Sequence, residues 1–128
     1  MAQPFIGEVR MFGGSFAPSG WMICAGQLLP ISENDTLFNL IGTTYGGDGQ
    51  STFALPDLRS RVPTHFGSGF VLAQTPTYTP YISGFAPNTA LAATSVAPTG
   101  GSQPHENLQP YLGINFILSL YGLFPSPT

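Results

Sequence analysis

The sequence predicts a mainly β protein with one short helix, which is a small α+β domain. The strands are predicted by short apolar segments of four to seven residues that are separated by turns containing glycine or proline. Only the segment after Ser32 repeats apolar residues at helical spacing. Residues 67–99 contain prolines throughout, and helices are excluded there for that reason.

Three strands are predicted before the helix. Residues 6–12 have mixed polarity, which indicates a strand with one face in water. A Pro-Ser-Gly turn at residues 17–20 leads into a short buried strand at residues 21–24. A second turn at residues 25–27 leads into the third strand, residues 28–31.

One helix of about two turns is predicted next. Ser32 begins a Ser-x-x-acid pattern typical of a helix start, and Asp35 then lies where backbone N–H groups favour negative charge. Since so short a helix is unstable alone, we expect its apolar side to pack on the strands around Trp21, which would anchor it. The apolar side comprises Leu37, Leu40 and Ile41, and Gly42 follows as the residue that ends the helix.

The glycine-rich residues 46–49 are interpreted as a turn. The segment lacks the Lys-Ser or Lys-Thr pair of a phosphate-binding loop, and Asp48 alone is not the repeated acidic spacing of a calcium loop. Residues 51–55 are predicted to form the strand that follows the turn.

Two of the chain's three cations lie within residues 55–63, which have a proline near each end. Because isolated ions are costly to bury, Asp57, Arg59 and Arg61 are expected in a loop or short edge segment. Each guanidinium can hold a carboxylate or backbone carbonyls, either at a corner of the fold or between subunits. We predict that these three residues fix a corner.

Residues 67–99 are predicted to form an extended arm. Their prolines confine them to edges, arms or loops, and their uncharged, aromatic composition favours packing on a neighbouring subunit. Stacking on sugars or a surface receptor is the alternative interpretation. The interface candidates of the arm are Tyr78, Tyr81 and Phe85.

The apolar residues 112–124 are predicted to form a closing strand with apolar side chains on both faces. Such a strand is buried either in the centre of a sheet or at an oligomer axis, since it would otherwise aggregate. The interface candidates are Phe116, Leu118 and Leu120, together with Tyr111, which is expected at the axis.

Charge is scarce and unevenly distributed. Only 7% of the residues are charged, against about 25% in a typical soluble domain. From residue 62 to the end, Glu106 is the one formal charge, so self-association is expected. A chain without lysine and with a net charge of −3 is unsuited to binding nucleic acid.

The sequence does not predict catalytic chemistry, a cofactor or a metal site. Cys24 is interpreted as a buried hydrophobe, since it has no cationic neighbour in sequence and no second cysteine to pair with. His65 and His105 are interpreted as turn residues, although a lone histidine repeated about a three-fold axis could bind zinc. No apolar run is long enough to span a membrane, and residues 1–4 lack a secretory pattern.

Five ordered blocks carry a resemblance to a known family. They are FIGEVRMF (5–12), PSGWMICAGQLLPI (18–31), LFNLIGTTYGGDG (37–49), LPDLRSR (55–61) and GSQPHENLQPYL (101–112). The chain resembles the phage tail-collar domain, in particular its microcystin-dependent protein branch, over residues 5–66 and 100–125. The His-x-His motif that holds metal ions in related short tail fibres is missing from this sequence.

The resemblance implies a homotrimer related to phage short tail fibres. Residues 1–66 would form the tail-collar domain, 67–99 an arm, and 100–128 a segment that completes the same domain. We expect a non-enzymatic structural subunit of a phage-tail-like or extracellular filament, without a signal peptide, and extracellular or on a virion. The alternative is a trimeric adhesin that recognises cell-surface glycans.

Overall fold

The computed structural model describes residues 3–69, 71–75 and 110–127. The chain divides into two compact units, residues 1–74 with 113–128, and residues 75–112. The strands and the helix of the described residues all lie in the first unit, to which the following description applies. No helix in these described ranges has the length and apolarity needed to cross a membrane.

Two small antiparallel sheets and one α-helix make up the described fold. The elements are β1 (Val9–Phe12), β2 (Trp21–Ile23), β3 (Leu28–Pro30), α1 (Asp35–Ile41), β4 (Thr52–Ala54) and β5 (Asn115–Ser119). The predicted fold class, mainly β with one short helix, is therefore confirmed.

The larger sheet has the strand order β1-β5-β2, so the strand from the C-terminal segment lies between two strands from the N-terminal segment. In this register Leu118 lies between Val9 of β1 and Met22 of β2. One residue earlier, Ile117 lies between Arg10 and Ile23. The turn before β2 lies one residue later than the predicted residues 17–20: Trp21 N–H donates to Pro18 O over 3.0 Å, and Gly20 supplies the positive φ that this turn needs.

A glycine bulge shortens β1 relative to the prediction of a strand over residues 6–12. Gly7 has φ +78°, and its N–H donates to Ser119 O, while Ser119 N–H donates to Glu8 O. Two residues of this segment thus face one residue of β5, as in a bulge that begins with a left-handed glycine. The regular strand consequently begins only at Val9.

The helix begins two residues later than predicted, with Asn34 instead of Ser32 at the N-cap position. Residues Ile31–Glu33 form a single 3-10 turn, which closes when Asn34 N–H donates to Ile31 O over 3.1 Å. Asn34, with φ −138° and ψ 38°, is not helical and precedes the first helical residue, Asp35. The Ser32 start was wrong because Ile31 N–H is still bonded to the O atom of Ser51, the residue before β4, so the chain must turn before the helix can begin. The helix ends at Gly42 as predicted, with φ +54°.

The core lies between α1, the β3–β4 sheet and one face of the larger sheet. Leu37 of α1, Phe53 of β4 and Leu118 of β5 are at most 1% exposed. The rings of Phe38 and Phe53 lie 5.5 Å apart, so the helix packs on β4. The buried core residues are Ile6, Cys24, Leu29, Leu37, Phe53, Leu55 and Leu118.

The closing strand occupies the centre of its sheet, which is the first of the two predicted alternatives. Ile117 and Leu118 point to opposite faces and are only 4% and 1% exposed. Ile117 and Leu118 are thus covered within a single chain, whereas Phe116 is half-buried.

Candidate functional site

The Asp57 corner, formed by Asp57, Arg59 and Arg61, is the densest cluster of charge in the described residues. Arg59 donates to both carboxylate oxygens of Asp57, from Nε and Nη2, over 2.9 Å each. Arg61 Nη1 lies 3.2 Å from Asp57 Oδ2 and donates to Asp57 O over 3.1 Å. Ser60, with φ +55°, turns the chain between the two arginines. These contacts form a corner within one chain, and a contact of the arginines between subunits stays a prediction.

The Arg59 guanidinium holds the pKa of Asp57 well below its usual range. The same contact raises the pKa of Arg59. Both arginine side chains are largely exposed, at 67% and 43%, so water screens these ion pairs and their free-energy contribution is small. The corner therefore acts by fixing the backbone rather than by presenting a free charge.

Backbone bonds join the Asp57 corner to the turn after β2. Leu58 N–H donates to Cys24 O over 3.1 Å, and Gly26 N–H donates to Pro56 O over 3.2 Å. A Cβ on Gly26 would lie 3.0 Å from Asp57 Cβ, so the two segments meet closely. The corner thus ties the segment after β4 to the segment after β2.

The glycine-rich turn is organised by the carboxylate of Asp48. Its Oδ1 accepts the N–H groups of Gln50, Ser51 and Thr52 over 2.9 Å each, and its Oδ2 accepts the Ser51 hydroxyl. These donors hold the pKa of Asp48 well below its usual range. The predicted turn is confirmed, and its carboxylate is occupied by the chain itself.

Cys24 is buried beside a half-open groove of about 250 Å³. The groove is also lined by Leu58, Arg59, Ile114 and Phe116. Burial raises the pKa of the Cys24 thiol to about 11, so the thiol is protonated at neutral pH and is a poor nucleophile. Among the described residues, no group of three or more His, Cys, Asp or Glu side chains is arranged to hold a metal ion.

An exposed apolar row lies on and beside β1. Val9 and Met11 are 43% and 69% exposed, and Ile114, which precedes β5, is 45% exposed. Met11 is paired with Phe116, and Ile114 lies two residues from Phe116 on the same face, so the row is continuous. We call Val9, Met11 and Ile114 the β1 surface. It is an apolar surface on a strand from the N-terminal half.

Trp21 is placed beside Arg10 by the structure. The guanidinium carbon of Arg10 lies 5.2 Å from the centre of the Trp21 ring, within the range of a cation–π contact. Arg10 also donates to Glu8 Oε1 over 2.6 Å. Trp21 is not among the residues that form or line the described core cluster, to which Leu40 and Ile41 of the helix belong.

The other predicted interface residues fall into three groups. Leu118 is buried, while Phe116 and Leu120 are half-buried and pack against the core. Tyr111 is 87% exposed. Tyr78, Tyr81 and Phe85 lie outside the described residues, as does His105. Their interface roles remain predictions.

Three features of the site were missed from the sequence. The bulge at Gly7 left no local signal, because it depends on the backbone bonds of Gly7 and Glu8 to the distant Ser119. The role of Asp48 could have been inferred from the Ser and Thr that follow it, since aspartate commonly caps such turns. The position of β1 at the edge of its sheet had no sequence signal, because it depends on the strand order.

Part of the chain matches a family of known proteins. Residues 7–63 match the family model described as the phage tail collar domain, which is somewhat less than half of the chain. The match includes β1 to β4, α1 and the Asp57 corner, and it ends before β5. The predicted resemblance to the tail-collar family is confirmed over this range, whereas the microcystin-dependent branch stays a prediction. No curated protein matches the chain.

Proposed function

Starting from the match of residues 7–63 to the phage tail collar domain, we propose that the protein is a non-enzymatic structural subunit of a phage-tail-like or extracellular filamentous assembly. The subunit associates with copies of itself, as a homotrimer and in higher-order filaments. It belongs to the microcystin-dependent branch of the tail-collar proteins and acts outside the cell or on a virion.

The observation that carries this proposal is that many large apolar side chains are exposed on a chain with few charged residues. At least fifteen large apolar side chains of the described residues are exposed, among them Met11 at 69% and Leu112 at 89%. Large exposed apolar patches are a property of interaction surfaces. Charge repulsion commonly keeps copies of a protein apart. With only 7% of its residues charged, this chain has little such repulsion to keep its apolar surface from associating with another copy.

The reactive groups of the described residues support a structural role. The carboxylates of Asp48 and Asp57 are held by the chain's own donors, and the Cys24 thiol is kept protonated by burial. Groups held in this way fix turns and corners, whereas catalysis needs a group that is free to exchange protons or attack a substrate.

Electron microscopy of the purified protein, with its mass measured in solution, tests the proposal. We expect trimers and filaments that form without any added ligand. A single-chain species that persists at millimolar concentration would contradict the proposal.

A second candidate function is a trimeric adhesin that binds cell-surface glycans. The observation that favours it is the exposure of tyrosine side chains, since Tyr111 and Tyr121 are 87% and 62% exposed and aromatic rings stack on sugars. A discrete trimer that binds immobilised glycans, and loses this binding on Tyr111→Ala and Tyr121→Ala substitution, would favour the adhesin over the filament.

A further inference from the structure

The backbone of β1 offers hydrogen-bonding groups on the side away from β5. Ser119 bonds to the bulge at Gly7 and Glu8, and this sets the alternation for the rest of the strand. Arg10 and Phe12 therefore direct their N–H and C=O groups toward β5, whereas those of Val9 and Met11 point outward. Among the described strands, β1 is an edge strand of its sheet.

The side chains of the same two residues are also exposed. Val9 and Met11 lie on one face of β1, at 43% and 69% exposure, and form the β1 surface with Ile114. An exposed apolar edge of this kind readily pairs with another strand.

Two of the residue types that commonly protect an edge strand are missing from β1. Proteins commonly block edges with lysine or proline, and β1 contains neither, in a chain without any lysine. Arg10, its one charged residue, points to the opposite face, where it is bound to Glu8 and lies over Trp21.

We propose that β1 pairs antiparallel with β1 of a second copy, which joins two three-stranded sheets into one sheet of six strands. The occupant of the edge is thus a second copy of this chain, and the inference rests on the proposed self-association. It names the surface through which two copies meet.

The register of the pair follows from charge and backbone geometry. A two-fold axis at Arg10 places two guanidinium groups opposite each other, which is unfavourable. An axis at Val9 pairs Met11 with Gly7 of the second copy, whose N–H is already bound to Ser119 O in the bulge. An axis at Met11 avoids both problems.

The register centred on Met11 also makes favourable contacts. It places Arg10 opposite Phe12 of the second copy, a suitable arrangement for a cation–π contact. It places Val9 opposite Gly13, where a Cβ would meet nothing within 4 Å, so another backbone can approach. The pair therefore extends from Val9 to Gly13 of each copy.

Disulfide cross-linking of the Met11→Cys variant tests the proposal. Residues that face each other in a hydrogen-bonded antiparallel pair have Cα atoms about 5.5 Å apart, which lies within the disulfide range of about 4.4–6.8 Å. We expect a covalent dimer under mild oxidation. The native Cys24 is 2% exposed and does not compete.

Leu28→Cys is the matched control, because Leu28 is also a strand residue and is 60% exposed. The Leu28→Cys variant is expected to remain largely reduced under the same conditions. Equal cross-linking of the two variants would overturn the proposed pair.

Met11→Lys provides a second, non-covalent test. Because two lysines would face each other at the axis, the concentration needed for assembly should rise at least tenfold, whereas Leu28→Lys should leave it unchanged. Circular dichroism at low concentration verifies that both variants fold.

The possible outcomes separate the two proposals. Assembly of the wild-type protein that Met11→Lys does not weaken would overturn the β1 pair and leave the structural-subunit proposal standing. A wild-type protein that stays a single chain at every concentration would overturn both.

Discussion

Strands β1 and β5 are neighbours in one sheet, and both contain apolar residues, yet their environments differ. β5 lies in the centre, where Ile117 and Leu118 are 4% and 1% exposed. β1 lies at the edge, where Val9 and Met11 are 43% and 69% exposed. Position in the sheet, rather than apolar content, therefore determines which strand is available to other molecules.

Truncation of a central-strand residue is the change with the largest expected effect. Leu118→Ala leaves a cavity between Val9 and Met22 and should lower the free energy of unfolding by about 2–5 kcal/mol. Met11→Ala on the edge strand should change it by less than about 0.5 kcal/mol. Urea denaturation at concentrations too low for assembly measures both values. Similar losses in the two variants would remove the distinction between the strands.

The glycine bulge that limits β1 gives the next largest effect. Gly7→Ala forces a side chain into φ +78° and places its Cβ 2.8 Å from Leu40 Cδ2, which should cost about 1–3 kcal/mol. Gly13→Ala, at the other end of β1, meets no atom within 4 Å and should leave the unfolding free energy of the dilute protein nearly unchanged.

Thermal unfolding of the Gly7→Ala and Gly13→Ala variants measures these changes in stability. In addition, Gly13→Ala should weaken assembly, because it adds a side chain where the second copy approaches. A Gly7→Ala variant as stable as the wild-type protein would show that the bulge does not fix the start of β1.

The Asp57 corner gives the smallest effect, and this effect depends on pH. Because the folded-state pKa of Asp57 is lowered, its stabilisation is present above the unfolded-state value of about 3.9 and is lost as pH falls below it. Asp57→Asn should therefore reduce stability at pH 7 and have little effect near pH 1. Urea denaturation across this pH range measures the difference.

Arg59→Gln is the control for the origin of this pH dependence. Since Arg59 is the main cause of the lowered pKa, its removal should reproduce most of the Asp57→Asn effect, and the double variant should lose little more. A difference between wild type and Asp57→Asn that is the same at every pH would contradict this assignment.

Local sequence patterns predicted most elements of the fold. The Pro-Ser-Gly turn before Trp21 and the glycine that ends α1 need particular φ values, and these depend on few neighbours. The start of α1 was predicted wrongly, because a backbone bond from Ile31 to Ser51 decides it, and a pairing twenty residues away leaves no local signal. The bulge at Gly7 likewise depends on Ser119.

The candidate site was predictable to a similar extent. The clustering of Asp57, Arg59 and Arg61 indicated a corner, since opposite charges this close in sequence readily pair. The sequence predicted an interface in the C-terminal half, because that half has little charge and a strongly apolar strand. The strand order, which no single segment encodes, covers β5 and exposes β1 instead.

Hydrogen exchange of backbone amides in dilute and concentrated protein tests the contrast between the two strands most directly. We predict that the β5 amides are protected at every concentration, because their partners lie within the chain. The amides of Val9 and Met11 should exchange rapidly in dilute protein and become protected on assembly. Protection that appears on assembly at β5, with no change at Val9 and Met11, would contradict the account.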